Sequence, residues 1–167
     1  MKAAFVAFLL TALTSVSAQT PFGALPASCG PKDASFNVRL DKSKHSVIQP
    51  GPGKALIYFI RDPVRFNLQP ASLGDLQPTL LGIDGAWVGA IRENSYFSVA
   101  VDPAEHHICA AAWYSREEKL VEVAHLQAEA GKMYFYRMGH LEHGPIDSDA
   151  GSYMIPALPL SVSRSKK

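Results

Sequence analysis

The sequence is short of charge, of cysteine and of long apolar runs, and each shortage narrows what the protein can be. Only 19% of its 167 residues are charged, and 16 basic against 15 acidic side chains leave a formal net charge of +1. A chain this close to neutral has no bulk electrostatic reason to seek nucleic acid or an anionic membrane. Low charge here accompanies 47% hydrophobic residues, so intrinsic disorder is excluded and one domain with a real core is expected. There is no G-x-S-x-G elbow to present a serine nucleophile. No glycine-rich loop leads into a helix to cradle phosphate, and neither H-E-x-x-H nor H-x-x-E-H occurs. Sustained 3.6-residue periodicity, internal repeats and low-complexity segments are missing as well.

What the chain does have begins with a leader. Lys2 gives a positive start, Ala3 to Leu13 form a short apolar run, and Val16-Ser17-Ala18 reads as a small-residue cleavage site before Gln19. The apolar run is well short of the roughly 20 residues that span a bilayer, so residues 1–18 read as a cleaved signal peptide and not as an anchor. Cys29 lies too far beyond the run for a lipoprotein. Secretion or delivery to a periplasm is the expected destination, and removing the leader leaves basic and acidic residues equal in number.

Export gives the two cysteines a meaning. Cys29 sits in a turn-rich segment and Cys109 in an apolar strand, and an even pair in an oxidising compartment favours a Cys29–Cys109 disulfide. The closed loop of about 80 residues would be worth roughly 4 kcal/mol in the chain-entropy model.

The mature chain reads as strands. An extended arm over 19–35 precedes Phe36 to Leu40, which alternates apolar and polar residues as an edge strand does. Ala55 to Ile60 is continuously apolar and predicts a central strand buried on both faces. Leu80 to Ile91 reads as a hairpin turning at Asp84-Gly85. Asn67 to Gln77 has room for a helical turn. Tyr96 to Val101, His106 to Tyr114, Leu120 to Ala128 and Met133 to Met138 continue a meander. Gly139 to Gly151 reads as a long loop, and Tyr153 to Val162 as a last strand before a basic tail at 164–167. The expected architecture is all-β: a single β-sandwich over 36–163, of about seven to nine short antiparallel strands.

Several segments together resemble a family of exported bacterial proteins grouped as domain of unknown function 2846. They are Lys54 to Arg61, Ile83-Asp84-Gly85 with Val88-Gly89, Ser95-Tyr96-Phe97, Asp102 to Cys109, and Ala128 to Tyr136. Cys29-Gly30-Pro31 also resembles members that pair an N-terminal cysteine with one after His-His. Ala104 departs from the glycine expected after the proline. The hairpin and the proline turn entering a histidine-bearing strand are similar to modules of the PEGA type. The resemblance implies an immunoglobulin-like or PEGA-like sandwich and export, and it carries no activity or site.

Six histidines raise the question of metal. His140 and His143, with Glu142 between them and Asp147 and Asp149 nearby, form the candidate zinc-type site if the loop folds back, with a remote His106 or His107 as a further ligand to consider. His106 and His107 are adjacent in a strand and point to opposite faces, which makes them a poor chelate with one another. One of them is expected to pack beside Cys109 and the other to be exposed. His45 and His125 read as structural. Asp84 and Asp102 are explained by turns. Tyr134 and Tyr136 share a strand face and could form a ligand platform, set against ordinary core packing. No catalytic residues are assigned. The first functional expectation is a non-enzymatic binding or interaction module of the cell envelope, with an envelope protein or glycan as partner. The alternatives are a zinc-type metal protein using the loop histidines and, last, a hydrolase with a site on that loop.

Overall fold

The computed structural model describes residues 29–43, 45–61, 77–113, 119–138 and 143–166. The leader, the first part of the arm, the segment 62–76 and residues 139–142 lie outside the described residues. The elements are β1 (Phe36–Asp41), β2 (Ala55–Arg61), β3 (Thr79–Ile83), β4 (Ala86–Ile91), β5 (Ser95–Val101), β6 (Glu105–Trp113), β7 (Lys119–Gln127), β8 (Met133–Met138), β9 (His143–Ile146), the helix α1 (Ser148–Met154), a 3-10 turn (Ile155–Ala157) and β10 (Leu160–Ser165). One sheet has six strands in the order β1-β10-β5-β2-β8-β9, and the other has four in the order β4-β3-β6-β7.

The fold is all-β, but two expectations need correction. Among the described residues there are ten strands rather than seven to nine, and β8 runs parallel to β2 while β10 meets β5 in parallel. The chain alternates between sheets: β2 leads to β3 and β4 in the other sheet, and after β6 and β7 it returns as β8. A strand that returns after such crossings can lie beside an earlier one in the same direction, which a hairpin meander never does.

The continuous run in β2 is explained by its place. It lies between β5 and β8, every residue of it is buried, and apolar clusters cover both faces. Ile57 and Phe59 enter a core shared by the two sheets, with Leu81 and Ile83 of β3, Ile108 and Ala110 of β6, and Leu126 of β7. Leu56, Tyr58 and Ile60 face the other way, where they meet Tyr96, Phe135 and Ile155. The rings of Tyr58 and Phe135 stack there, with centroids 5.0 Å apart and planes nearly parallel. Tyr136 is buried in the shared core and Tyr134 packs against it, while Phe135 is buried on the opposite side. Strand β8 is therefore covered on both faces, and packing, not a tyrosine platform, is what these rings do.

The region 143–162 also departs from the expected loop and strand. Asp147 caps α1, its Oδ1 accepting the Ala150 amide at 2.8 Å, which satisfies a helix-end N–H. Gly151 sits on Phe135 so closely that a Cβ would lie 2.3 Å from Phe135 Cγ. A turn of helix there lays Ile155, fully buried, over the second apolar cluster. The expected basic tail starts inside β10, because Arg164 and Ser165 belong to that strand and the Lys166 amide donates to the Ser35 carbonyl.

Two devices tie the sheets to each other and to the arm. Strand β4 is the edge of its sheet, and hydroxyls from β10 satisfy its outward amides: Ala90 donates to Ser163 Oγ, and Arg92, just beyond the strand, to Ser161 Oγ, both at 3.0 Å. The Cys29–Cys109 disulfide is formed, joining the arm to β6 as expected. Trp87 adds to this anchor, its indole N–H donating to the Pro31 carbonyl at 2.7 Å.

Candidate metal centre

The hairpin between β3 and β4 turns at Asp84 and Gly85, with φ of 51° and 82°. Positive φ at both positions matches the twist of the flanking strands and suits the Asp-Gly pair read from sequence. At this end of the sheet Asp84 lies beside the start of β6. Its backbone N–H donates to the His107 carbonyl at 3.0 Å, and its Oδ1 accepts the His107 amide at 2.8 Å.

Those two bonds fix how β6 meets β7. Both backbone groups of His107 are directed at Asp84, so its pairing with His125 is of the non-hydrogen-bonded kind, in which side chains stand closer. The His107 and His125 rings meet at a centroid distance of 4.3 Å with planes at 67°. Glu105 is two residues before His107 and so shares its face. As the diagonal neighbour of His125 it brings Oε1 to 3.4 Å from His125 Nδ1. All three side chains are exposed, and one ligand atom from each lies within 4.8 Å of the others.

The neighbouring histidine has a different role. His106 is only 7% exposed and lies on the face of β6 that carries Ile108 and Ala110, not the face of Cys109. The expectation that the buried ring would pack on the Cys109 side is thus corrected, and His107 takes that side at the open end of the strand. His106 Nδ1 is 2.6 Å from Asp84 Oδ2, and Nε2 is 2.8 Å from the Asp102 carbonyl. Both partners are acceptors, so both ring nitrogens must carry hydrogen and the ring is held as the cation. Burial pushes its pKa down, but the Asp102 carbonyl and the Asp84 carboxylate outweigh burial and leave it above the ordinary histidine value. Partial burial likewise pushes Asp84 up, while the His107 amide and the His106 ring hold it below the ordinary carboxylate range.

These residues therefore divide into an exposed triad, Glu105, His107 and His125, and its support. His106, Asp84 and the turn at Asp102 lock the strand end that presents His107. Asp102 itself is paired with Lys54 at 2.6 Å in an exposed ion pair. His45 is structural as expected, with Nε2 at 3.3 Å from the Asp41 carbonyl and its ring edge-on to Tyr96. His125 is the residue that sequence reasoning missed. The objection that adjacent histidines cannot chelate holds for His106 and His107, but the second imidazole comes from across the ladder. Of the loop candidates, His140 and Glu142 lie outside the described residues. The backbone of His143 opens β9 opposite Met138.

Two imidazoles and a carboxylate form a nitrogen-rich set of borderline softness, suited to zinc, copper(II) or nickel and not to magnesium or calcium. The 3.4 Å between Glu105 Oε1 and His125 Nδ1 is close to the roughly 3.3 Å that separates two ligands on a tetrahedral zinc with ordinary bond lengths. Three protein ligands leave a further position to water or to an incoming group. No family model matches this sequence, and comparison with curated proteins and with solved structures returned no match.

Proposed function

We propose that this chain is an exported, non-enzymatic binding module that takes up a divalent transition-metal ion on Glu105, His107 and His125. The observation that carries the reading is the cross-strand pair, two exposed imidazoles 4.3 Å apart with a carboxylate beside one of them. The residues fit the group: all three donors are solvent-accessible, and none is used to fill the core. Export is supported by the leader and by a disulfide that an oxidising compartment would maintain. Among the described residues no helix is long and apolar enough to cross a membrane. We read the two sheets as an immunoglobulin-like or PEGA-like sandwich, and the chain as a relative of the exported bacterial family it resembles. The cell envelope is the proposed place of action, with an envelope protein or glycan as further partner.

The test is metal uptake by the mature protein, purified without a histidine tag or chelator. Titration with zinc, copper(II) and nickel should fill a single site that stabilises the fold, since binding to the native state alone adds to folding free energy. His107→Ala/His125→Ala should abolish that uptake, and His140→Ala/His143→Ala should leave it intact. The opposite pattern would move the site to the loop, and no uptake by the unaltered protein would remove the reading.

A further inference from the structure

Although the chain is nearly neutral as a whole, the fold gathers cations in one place. An open cleft of about 620 Å³ is lined by Arg39 of β1, Arg92 beyond β4, and Arg164 and Lys166 from β10 and its continuation, with Asn37 and Gln77 adding polar groups. Among the described residues that line it, none is acidic. We propose that this cleft binds a multivalent oxyanion, one carrying phosphate or sulfate groups either free or as substituents of a saccharide.

The geometry is built rather than incidental. In the antiparallel β1–β10 ladder Asn37 lies opposite Arg164 and Arg39 opposite Val162, so the two arginines share a face. The Lys166 amide continues the ladder to the Ser35 carbonyl, which places the lysine backbone one step further along the same edge. Arg92 comes from the other sheet and is held twice: its amide donates to Ser161 Oγ at 3.0 Å, and its Nε to the Val38 carbonyl at 3.2 Å. Ser161 is almost fully buried and also bonds Ser95 Oγ at 2.8 Å, so this anchor is a fixed part of the sheet junction. The bond through Nε leaves the outer nitrogens of the Arg92 guanidinium available. Arg39, Arg164 and Lys166 make no side-chain hydrogen bond or ion pair with any described residue, although Arg39 lies near enough to Asp41 to lower its pKa.

Four like charges around one cleft repel each other, and an anion relieves that repulsion while its oxygens accept their N–H groups. Guanidinium forks match the paired oxygens of phosphate and sulfate. A volume of this size suits a ligand with more than one such group. The site is separate from the histidine cluster and does not depend on metal binding there.

Isothermal titration calorimetry of the mature protein tests this with inorganic pyrophosphate and with a sulfated heparin-type disaccharide as probes. Binding of either at low salt, weakened at physiological salt, is expected. Arg39→Gln and Arg164→Gln should each weaken it roughly tenfold, as loss of one charge-assisted hydrogen bond does. Lys166→Gln, which keeps the backbone amide that bonds Ser35, gives the same readout, and His107→Ala/His125→Ala should leave affinity unchanged. Tighter binding of the disaccharide identifies a saccharide-borne anion, and tighter binding of pyrophosphate a free one. If neither probe binds, or if binding survives the combined arginine and lysine variants, the inference falls.

Discussion

Replacing Asp84 with asparagine isolates one charge at the junction on which the candidate centre rests. Asparagine tolerates the positive φ of this position, so the hairpin turn is kept. Its carbonyl can still accept the His107 amide, and its amide nitrogen can face the His106 ring. What is lost is the carboxylate opposite a ring held as a cation. A hydrogen bond to a charged group is worth about 1.5 to 3 kcal/mol, and the 46% exposure of Asp84 argues for the lower part, roughly 2 kcal/mol. The sign with pH follows from linkage. The His106 pKa is raised on folding, so its contribution is complete below the unfolded value of 6.5 and is lost as pH rises through the folded value. Asp84 has a lowered pKa, so its contribution is present above 3.8 and lost as pH falls through the folded value. The pair is at full strength between those limits. Urea unfolding should therefore show Asp84→Asn destabilised by about 2 kcal/mol near pH 5.5 and by clearly less near pH 9. An equal penalty at both pH values would refute the reasoning that His106 is a protonated partner.

Two further predictions concern the frame. The unreduced mature protein should show no mass gain on thiol alkylation, and Cys29→Ala/Cys109→Ala should lose about 2 to 5 kcal/mol of stability in denaturant; alkylation of the unreduced protein would contradict the bridge. Gly151→Ala pushes a methyl into the Phe135 ring and should lower stability by about 1 to 3 kcal/mol, read as an earlier thermal transition.

The strands most legible in the sequence are those whose signal is local. The apolar run of β2 reports burial on both faces, and Asp84-Gly85 reports a turn that few other pairs permit. The disulfide was legible because export makes an even pair of cysteines informative. Helix α1 was not, being seven residues long with a glycine inside, and its formation depends on Asp147 and on the surface Phe135 offers. The parallel entry of β8 beside β2 depends on which sheet each strand joins, and the local pattern is silent on that.

The candidate centre failed to show for a sharper reason. Whether His125 faces His107 is a matter of register between β6 and β7, and a slip of one residue would turn it to the other face. That register is held by the pairing along the whole β6–β7 ladder, and the Asp84 bonds make the His107–His125 pair non-hydrogen-bonded; neither is visible from spacing. The cationic cleft is hidden in the same way, since Arg39, Arg92, Arg164 and Lys166 meet only once β10 lies between β1 and β5.

The most direct measurement is a zinc titration of the mature protein followed through the ring nitrogens of its histidines by nuclear magnetic resonance. The rings of His107 and His125 should shift together and saturate at the same zinc concentration, while His106, with both nitrogens engaged, keeps its position. Shifts confined to other histidines, or none at all, would contradict a metal centre on the cross-strand pair.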